Sequence, residues 1–418
     1  MNFLFIHKFF PGQFKYLISR FGSSGEHKLI ALAQTRGPES DGMPAEFCDV
    51  RLYGLPFVPE NKALPHARRI QSDMAQGQAL AARLEELRLQ GFVPDVIFAH
   101  SGWGEALYCK DVFPDIPVVG YFEHFYRSDK SDADFFLRDS PTLEQRLHIR
   151  SLNAAQLLQL VDCDAGISPT KWQKDGYPSE LQSKLHEIHE GVDTRLFKPN
   201  RNATFSLSGG QEISRADEVV TYVSRNLEPY RGFYQFLQSV QILLKRRPRM
   251  QVLIAGGDEV SYSPRLPNGQ TYREKYCREL DLDLSRVHFL GWVTGARYRQ
   301  LLQVSSAHVY LTVPFVLSWS MLEAMACGCV VVGSDTAPVA EVIRHGENGL
   351  LCDFFSPMEI ADTVSNVLDH PTRMEPLARA ARETVVSRYD ASLGVAKYIR
   401  LIESLTGKQI STQKSVAE

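Results

Sequence analysis

Residues 308–333 read His308-Val309-Tyr310-Leu311-Thr312-Val313-Pro314-Phe315-Val316-Leu317-Ser318-Trp319-Ser320-Met321-Leu322-Glu323-Ala324-Met325-Ala326-Cys327-Gly328-Cys329-Val330-Val331-Val332-Gly333. The run His308–Thr312 is short, apolar and bounded by Pro314, as a buried strand would be. Ser318 or Ser320 supplies an N-cap for a helix over Trp319–Ala326. Val330–Gly333 is a second buried strand. Strand, helix and strand in so short a span imply a right-handed crossover, and repeated crossovers build a mostly parallel sheet covered on both faces.

The same alternation extends through the chain. Before it, strands are expected at Val219–Val223, Gln251–Ala255 and Val287–Leu290, with a helix over Gly232–Lys245. Further towards the N-terminus come strands at Asn2–Ile6, Lys28–Ala33, Asp95–Ala99, Val118–Phe122 and Ala165–Ser168. Helical stretches at Gln13–Phe21, His66–Gln90, Leu143–Leu160 and Pro169–Asp175 lie among them, the last with proline in its first turn. The alternation pauses over Phe197–Asp217, which is rich in Ser, Gly, Asn and Arg like a linker. From about Pro357 the chain is nearly all helical. The expected fold is α/β, with two doubly wound domains facing across a cleft: residues 1–196, a linker over 197–217, residues 218–390, and a C-terminal helix and tail over 391–418.

Composition narrows the function. The 418 residues are 44% hydrophobic and 23% charged, ordinary for globular domains. Lys plus Arg total 46 against 49 Asp plus Glu, a net charge of −3, which argues against a dedicated nucleic-acid partner. The seven cysteines lack C-x-x-C spacing, so reduced thiols and a cytoplasmic setting are expected. No stretch reads as a signal peptide or a membrane span. Peripheral contact with the inner face of a membrane stays open, and the oligomeric state is not legible.

Ligands of doubly wound sheets bind beyond the carboxyl ends of the strands, so the residues that follow each strand are the candidates. Ser224-Arg225-Asn226-Leu227-Glu228-Pro229-Tyr230-Arg231-Gly232 puts Arg225 at a strand end and Arg231 just before a helix. Two guanidinium groups beside a helix N-terminus can clamp a diphosphate, or can simply be solvated loop arginines. In the opening segment, the N–H groups of Ser320, Met321 and Leu322 face the same region. Glu323, on the first turns of that helix, suits ribose hydroxyls or partners the helix dipole. In the first domain Gly12 follows a strand where backbone can approach a phosphate closely. His100, in Ala99-His100-Ser101-Gly102-Trp103, and Glu123-His124 also follow strands directly and are acid–base candidates. No serine-nucleophile elbow or zinc-protease spacing is present.

These segments resemble the family 4 glycosyltransferases of the GT-B fold. The resemblance rests most on Leu322-Glu323-Ala324-Met325-Ala326-Cys327-Gly328 with Val330-Val331-Val332. Gly346-Glu347-Asn348-Gly349-Leu350-Leu351, Gly191-Val192-Asp193 through Phe197-Lys198-Pro199, Leu253-Ile254-Ala255-Gly256-Gly257 and Phe289-Leu290-Gly291-Trp292 add to it. It implies a metal-independent, retaining transfer from a nucleotide diphosphate sugar to a hydroxyl acceptor, a glycan or glycolipid being the commonest. It implies Arg225 and Arg231 on the donor phosphates, with Arg231 where lysine is usual, and Glu323 on the ribose. It further implies Ser318, Trp319, Ser320, Met321, Leu322, Gly12 and Gly257 around the donor, and Val293 near the base. His100 and Trp103 fall on the acceptor side.

Two departures from the family pattern stand out. Phe315 occupies the position of a glutamate that contacts the transferred sugar, which raises the alternatives of a sugar-nucleotide-binding assembly subunit or an epimerase of the same fold. The family histidine aligns with either Glu123 or His124, with His124 preferred on chemistry and Glu123 as alternative or helper.

Overall fold

The computed structural model describes residues 1–37, 43–54, 67–137, 139–207 and 209–410. The chain divides into two compact units, residues 1–191 with 391–418, and residues 192–390. Among the described residues the first unit carries a seven-stranded sheet in the order Asp49–Leu52, Lys28–Ala33, Asn2–Ile6, Val96–His100, Val118–Tyr121, Ala165–Ser168, Leu185–Glu187. Every pairing in it is parallel. The period-2 alternation of the strands decides which residues face which layer. Phe3, Phe5 and Phe98 pack with Leu17, Ile18 and Phe21 of the helix Lys15–Gly22. Leu4, Ile6 and Ile97 pack with Leu80, Leu84 and Leu87 of the helix Arg68–Leu89.

The second unit holds a six-stranded parallel sheet in the order Val287–Phe289, Gln251–Gly257, Val219–Asn226, Ala307–Tyr310, Val330–Ser334, Leu350–Cys352. One face buries Met321, Leu322, Met325 and Val331 with Val385 of the helix Pro371–Arg388. On the helix Phe233–Arg246, Phe236 stacks on Tyr222 with ring centroids 4.5 Å apart.

The expected boundaries shift for identifiable reasons. Residues 197–217 are not a linker. Phe205 and Ile213 face each other across the antiparallel hairpin Thr204–Ser206/Glu212–Ser214 and join the core of Val219, Leu253 and Leu301. Polar neighbours hide that alternation in the sequence. The division falls instead at Gly191/Val192, where the Val192 N–H donates to the Tyr389 carbonyl and the Thr194 hydroxyl bonds Asp390, tying the ends of the second unit together. The C-terminal helix Ala391–Thr406 is part of the first unit, with Tyr398 and Ile402 in the core around Phe3 and Phe98.

Smaller differences are local. The helix expected over Leu143–Leu160 is two helices, Leu143–Ser151 and Ala154–Asp162. Between them the Asn153 amide accepts from the Tyr126 N–H at 2.9 Å and donates to its carbonyl at 2.8 Å. Thr170, not Pro169, opens the helix Lys171–Asp175, its hydroxyl accepting from the Gln173 N–H. Strands Asp49–Leu52, Leu185–Glu187 and Leu350–Cys352 were not anticipated. The expected helix start at His66, and the tail beyond residue 410, lie outside the described residues.

His308 sits fully buried within the second sheet, its Nδ1 2.9 Å from Thr221 Oγ1. Burial lowers its imidazole to about 3. Between that value and 6.5 the unfolded chain binds a proton that the folded chain does not, so the stability due to neutral His308 is complete above 6.5 and drains away on acidification. We expect a loss of roughly 1.4 kcal/mol per pH unit below 6.5 from this residue. Urea unfolding between pH 7 and 5 measures it, and a His308→Gln variant should show a correspondingly shallower pH dependence.

Candidate active site

Strand order locates the site in each unit. In the first sheet the connections reverse direction between Asn2–Ile6 and Val96–His100, in the second between Val219–Asn226 and Ala307–Tyr310. Doubly wound sheets bind ligands beyond the strand carboxyl ends at such a reversal. In the second unit those ends lead into Arg225 and Arg231 on one side and Thr312, Phe315 and Ser318 on the other.

The Arg225 side chain is exposed and, among the described residues, makes no hydrogen bond or ion pair. Arg231 is the opposite case: only 8% of it is exposed. Its Nη1 donates to Thr312 Oγ1 at 2.8 Å and to the Val316 carbonyl at 3.0 Å. The guanidinium lies 5.7 Å from the ring centre of Tyr262 and 5.9 Å from that of Phe315. No carboxylate among the described residues comes within ion-pair distance of it. A buried guanidinium stays charged and is costly unless compensated, so a cation held by neutral oxygens and aromatic faces is organised to receive an anion.

The helix Trp319–Ala326 begins beside it. Ser318 caps it, and the Ser318 N–H donates to Tyr310 Oη at 2.7 Å. Met321 and Leu322 bury their side chains in the core, so only their backbone is available to a ligand. Glu323 is 8% exposed and accepts a 2.7 Å hydrogen bond from Tyr298 Oη. Burial and the Glu323 charge raise the Tyr298 phenol well above its ordinary range, so it remains a donor that fixes the carboxylate. Gly257 makes room for side chains: a Cβ there would stand 2.6 Å from Trp292 Nε1 and 2.7 Å from Asn226 Oδ1. Val293 is half-buried against the core of the same unit, next to the exposed Trp292.

In the first unit the structure assembles a chain of polar groups only partly foreseen. The Phe9 N–H donates to His7 Nδ1 at 2.9 Å, which leaves the proton on Nε2, 2.6 Å from Gln13 Oε1. Gln13 Nε2 then donates to Glu123 Oε1 at 2.8 Å. On the far side the Gly102 N–H donates to His100 Nδ1, and His100 Nε2 stands 3.7 Å from Glu123 Oε2. Burial lowers His7 to about 3, with His100 adding to the effect. Burial alone would raise the Glu123 carboxyl, but His100, Gln13 and His7 together hold it below the usual range. Glu123 is therefore an ionised acceptor, and its side chain keeps 29% exposure, enough to meet a ligand.

Gly12 belongs to this chain. Its φ is +52°, and a Cβ would sit 2.4 Å from the His7 ring. Trp103 stacks on His100 with centroids 4.4 Å apart. The structure separates the two residues that the sequence left as alternatives: His124 lies 3.3 Å from Asp132 and stacks near Trp172, whereas Glu123 joins His100. His7 and Gln13 escaped the sequence reading. Their signal was position, since both flank Gly12 just beyond the first strand. Among the described residues no group of three or more His, Cys, Asp or Glu side chains is placed to hold a metal ion, and no helix is long and apolar enough to cross a membrane.

Comparison with known proteins also divides the chain in two, with the break between residues 197 and 209. A family model described as glycosyl transferase family 4 group matches residues 25–197, and another, glycosyl transferases group 1, matches residues 209–384. The chain is 31% identical over 258 residues to a phosphatidyl-myo-inositol mannosyltransferase of Mycolicibacterium smegmatis, covering 59% of this chain and 58% of that protein. It is 30% identical over 194 residues to a D-inositol 3-phosphate glycosyltransferase of Corynebacterium glutamicum, covering 44% of each. The matched part thus spans less than two thirds of these relatives. Among solved structures, HepE of Anabaena in complex with UDP-glucose aligns with a TM-score of 0.70 at 16% identity, over 97% of this chain and 100% of that one. Sucrose-phosphate synthase of Thermosynechococcus elongatus gives 0.70 at 17%, over 97% and 99%. At such identities the likeness is one of fold.

Proposed function

We propose, from the premise that this chain belongs to the family 4 glycosyltransferases, that it moves a sugar from a nucleotide diphosphate sugar to a hydroxyl acceptor with retention at the anomeric carbon. The observation that carries this reading is Arg231, a buried cation with no carboxylate partner among the described residues, at the point where the second sheet reverses.

The chemistry needs little else from the protein. The bond between the anomeric carbon and the diphosphate oxygen breaks, the acceptor oxygen bonds that carbon, and its proton passes to the departing phosphate. Charge grows on the diphosphate as it leaves. Arg231, Arg225 and the N–H groups at the start of Trp319–Ala326 would stabilise it, electrostatic support of the kind that usually dominates such reactions. These cations would do the work a metal does elsewhere, so transfer should persist in EDTA. Glu323 would accept the ribose hydroxyls, and Val293 would border the base. In the first unit Glu123 would accept a hydrogen bond from the acceptor hydroxyl, with His100 and Trp103 beside it. A glycan or glycolipid acceptor and a cytoplasmic location go with this reading.

A thermal-shift screen of UDP-, GDP- and ADP-sugars tests it. A ligand at 100 times its dissociation constant should stabilise the protein by about 2.7 kcal/mol. Replacing Glu323 by Gln keeps an acceptor for Tyr298 but removes the charge, and should raise the donor KM roughly tenfold with little change in Tm. An unaltered donor KM would remove Glu323 from the site. Phe315, buried among aromatic rings, favours the second reading of a non-catalytic nucleotide-sugar binder. Binding without transfer or donor hydrolysis across a broad acceptor panel would select that one. Interconversion of donors without any acceptor, followed by NMR, would select an epimerase.

A further inference from the structure

Glu228 has no part in the reading above, yet it is 1% exposed and its carboxylate is elaborately bonded. It precedes the turn Pro229–Arg231. Its oxygens accept from three successive backbone N–H groups, those of Ser261 at 3.2 Å, Tyr262 at 3.0 Å and Ser263 at 2.8 Å. Asn226 Nδ2 adds a bond to Ser261 Oγ at 2.8 Å. A carboxylate spent on a turn in this way fixes that turn firmly, because charge-assisted bonds to backbone are strong and an ion at this depth must be satisfied.

The fixed turn presents Tyr262. Its ring stacks on Tyr230 with centroids 5.5 Å apart and meets Phe315 at 4.8 Å, and the Arg231 guanidinium lies close to both Tyr262 and Phe315. Pro229 to Arg231 form a single turn, so the anchor of the aromatic wall and the cation it borders issue from the same short segment. The Glu228 carboxylate bonds backbone N–H groups and makes no ion pair with Arg231, although its negative charge still favours the guanidinium. Among the described residues only Nη1 of Arg231 is engaged, in the bonds to Thr312 and Val316.

We infer that Glu228 is a positioning residue: it pins residues 261–263 so that Tyr262 walls the Arg231 guanidinium and holds it ready for the diphosphate of a nucleotide. This rests on the donor reading of the Arg231 site. The test is a double-mutant cycle on the full chain, with UDP, GDP and ADP titrated calorimetrically and Tm recorded for each variant. Glu228→Gln should weaken binding of the preferred nucleotide about tenfold. Tyr262→Ala, at a residue 42% exposed, should fold normally and weaken binding to a similar degree. Tyr262→Phe should bind like the wild type. Glu228→Gln added to Tyr262→Ala should cost nothing more. Full additivity, or wild-type binding by Tyr262→Ala, would overturn the inference while leaving the donor site intact. If the wild type binds none of the three nucleotides, the donor reading and this inference fall together.

Discussion

Replacing Arg231 with alanine should lower turnover by about 10²–10³-fold, the usual cost of removing a donor that meets charge developing in the transition state. The residue is buried and bonded to Thr312 Oγ1 and the Val316 carbonyl, so Tm will fall as well and must be measured alongside. Two companions separate the effects. Arg231→Lys keeps the charge but loses the planar fork, and should recover only part of the rate. Arg225→Ala removes an exposed side chain with no partner among the described residues, so it should leave Tm unchanged while lowering turnover in the same range. Wild-type turnover in Arg225→Ala on the true donor and acceptor would exclude it from the phosphate clamp.

Gly12→Ala should be nearly as damaging, with turnover lowered by about 10²-fold, because a shift of about 1 Å in a positioned group can cost that much. The added Cβ would collide with the His7 ring, and the left-handed φ strains any side chain there. His7 would have to move, and through Gln13 the Glu123 carboxylate loses a hydrogen-bond partner. Kinetics of the pair distinguish this from a direct contact between Gly12 and a phosphate. If the glycine acts through His7, Gly12→Ala combined with His7→Ala should be no slower than His7→Ala alone. A further large loss of turnover in the double variant, with Tm no lower than that of His7→Ala, would assign Gly12 to the ligand itself.

Much of this was legible in the sequence where one residue type carries one physical demand. The largely apolar runs Val219–Val223 and Gln251–Ala255 read as strands, and the structure pairs them in parallel side by side. Arg225 stood out because it follows such a run, and Arg231 because it stands just before a helix N-terminus. What stayed hidden depends on distant partners. The hairpin at 204–214 reads as polar linker because Phe205, Leu207 and Ile213, the residues it gives to the core, are set among polar neighbours. The sequence of the C-terminal helix does not disclose that Tyr398 and Ile402 complete the core of the first unit. Glu123 and His124 are adjacent, and nothing local reveals that one turns to His100 and the other to Asp132. Glu228 looks like any loop acid until the N–H groups of Ser261, Tyr262 and Ser263 converge on it.

If the reading of Arg231 is right, a buried guanidinium in the second unit receives a nucleotide diphosphate without help from a divalent ion. Calorimetric titration of UDP-, GDP- and ADP-sugars into the wild type and Arg231→Ala, in EDTA, addresses it most directly. At least one of them should bind the wild type saturably, with a large loss of affinity in the variant. Equal affinity in the two proteins, or binding that returns only when magnesium or manganese is restored, would contradict it.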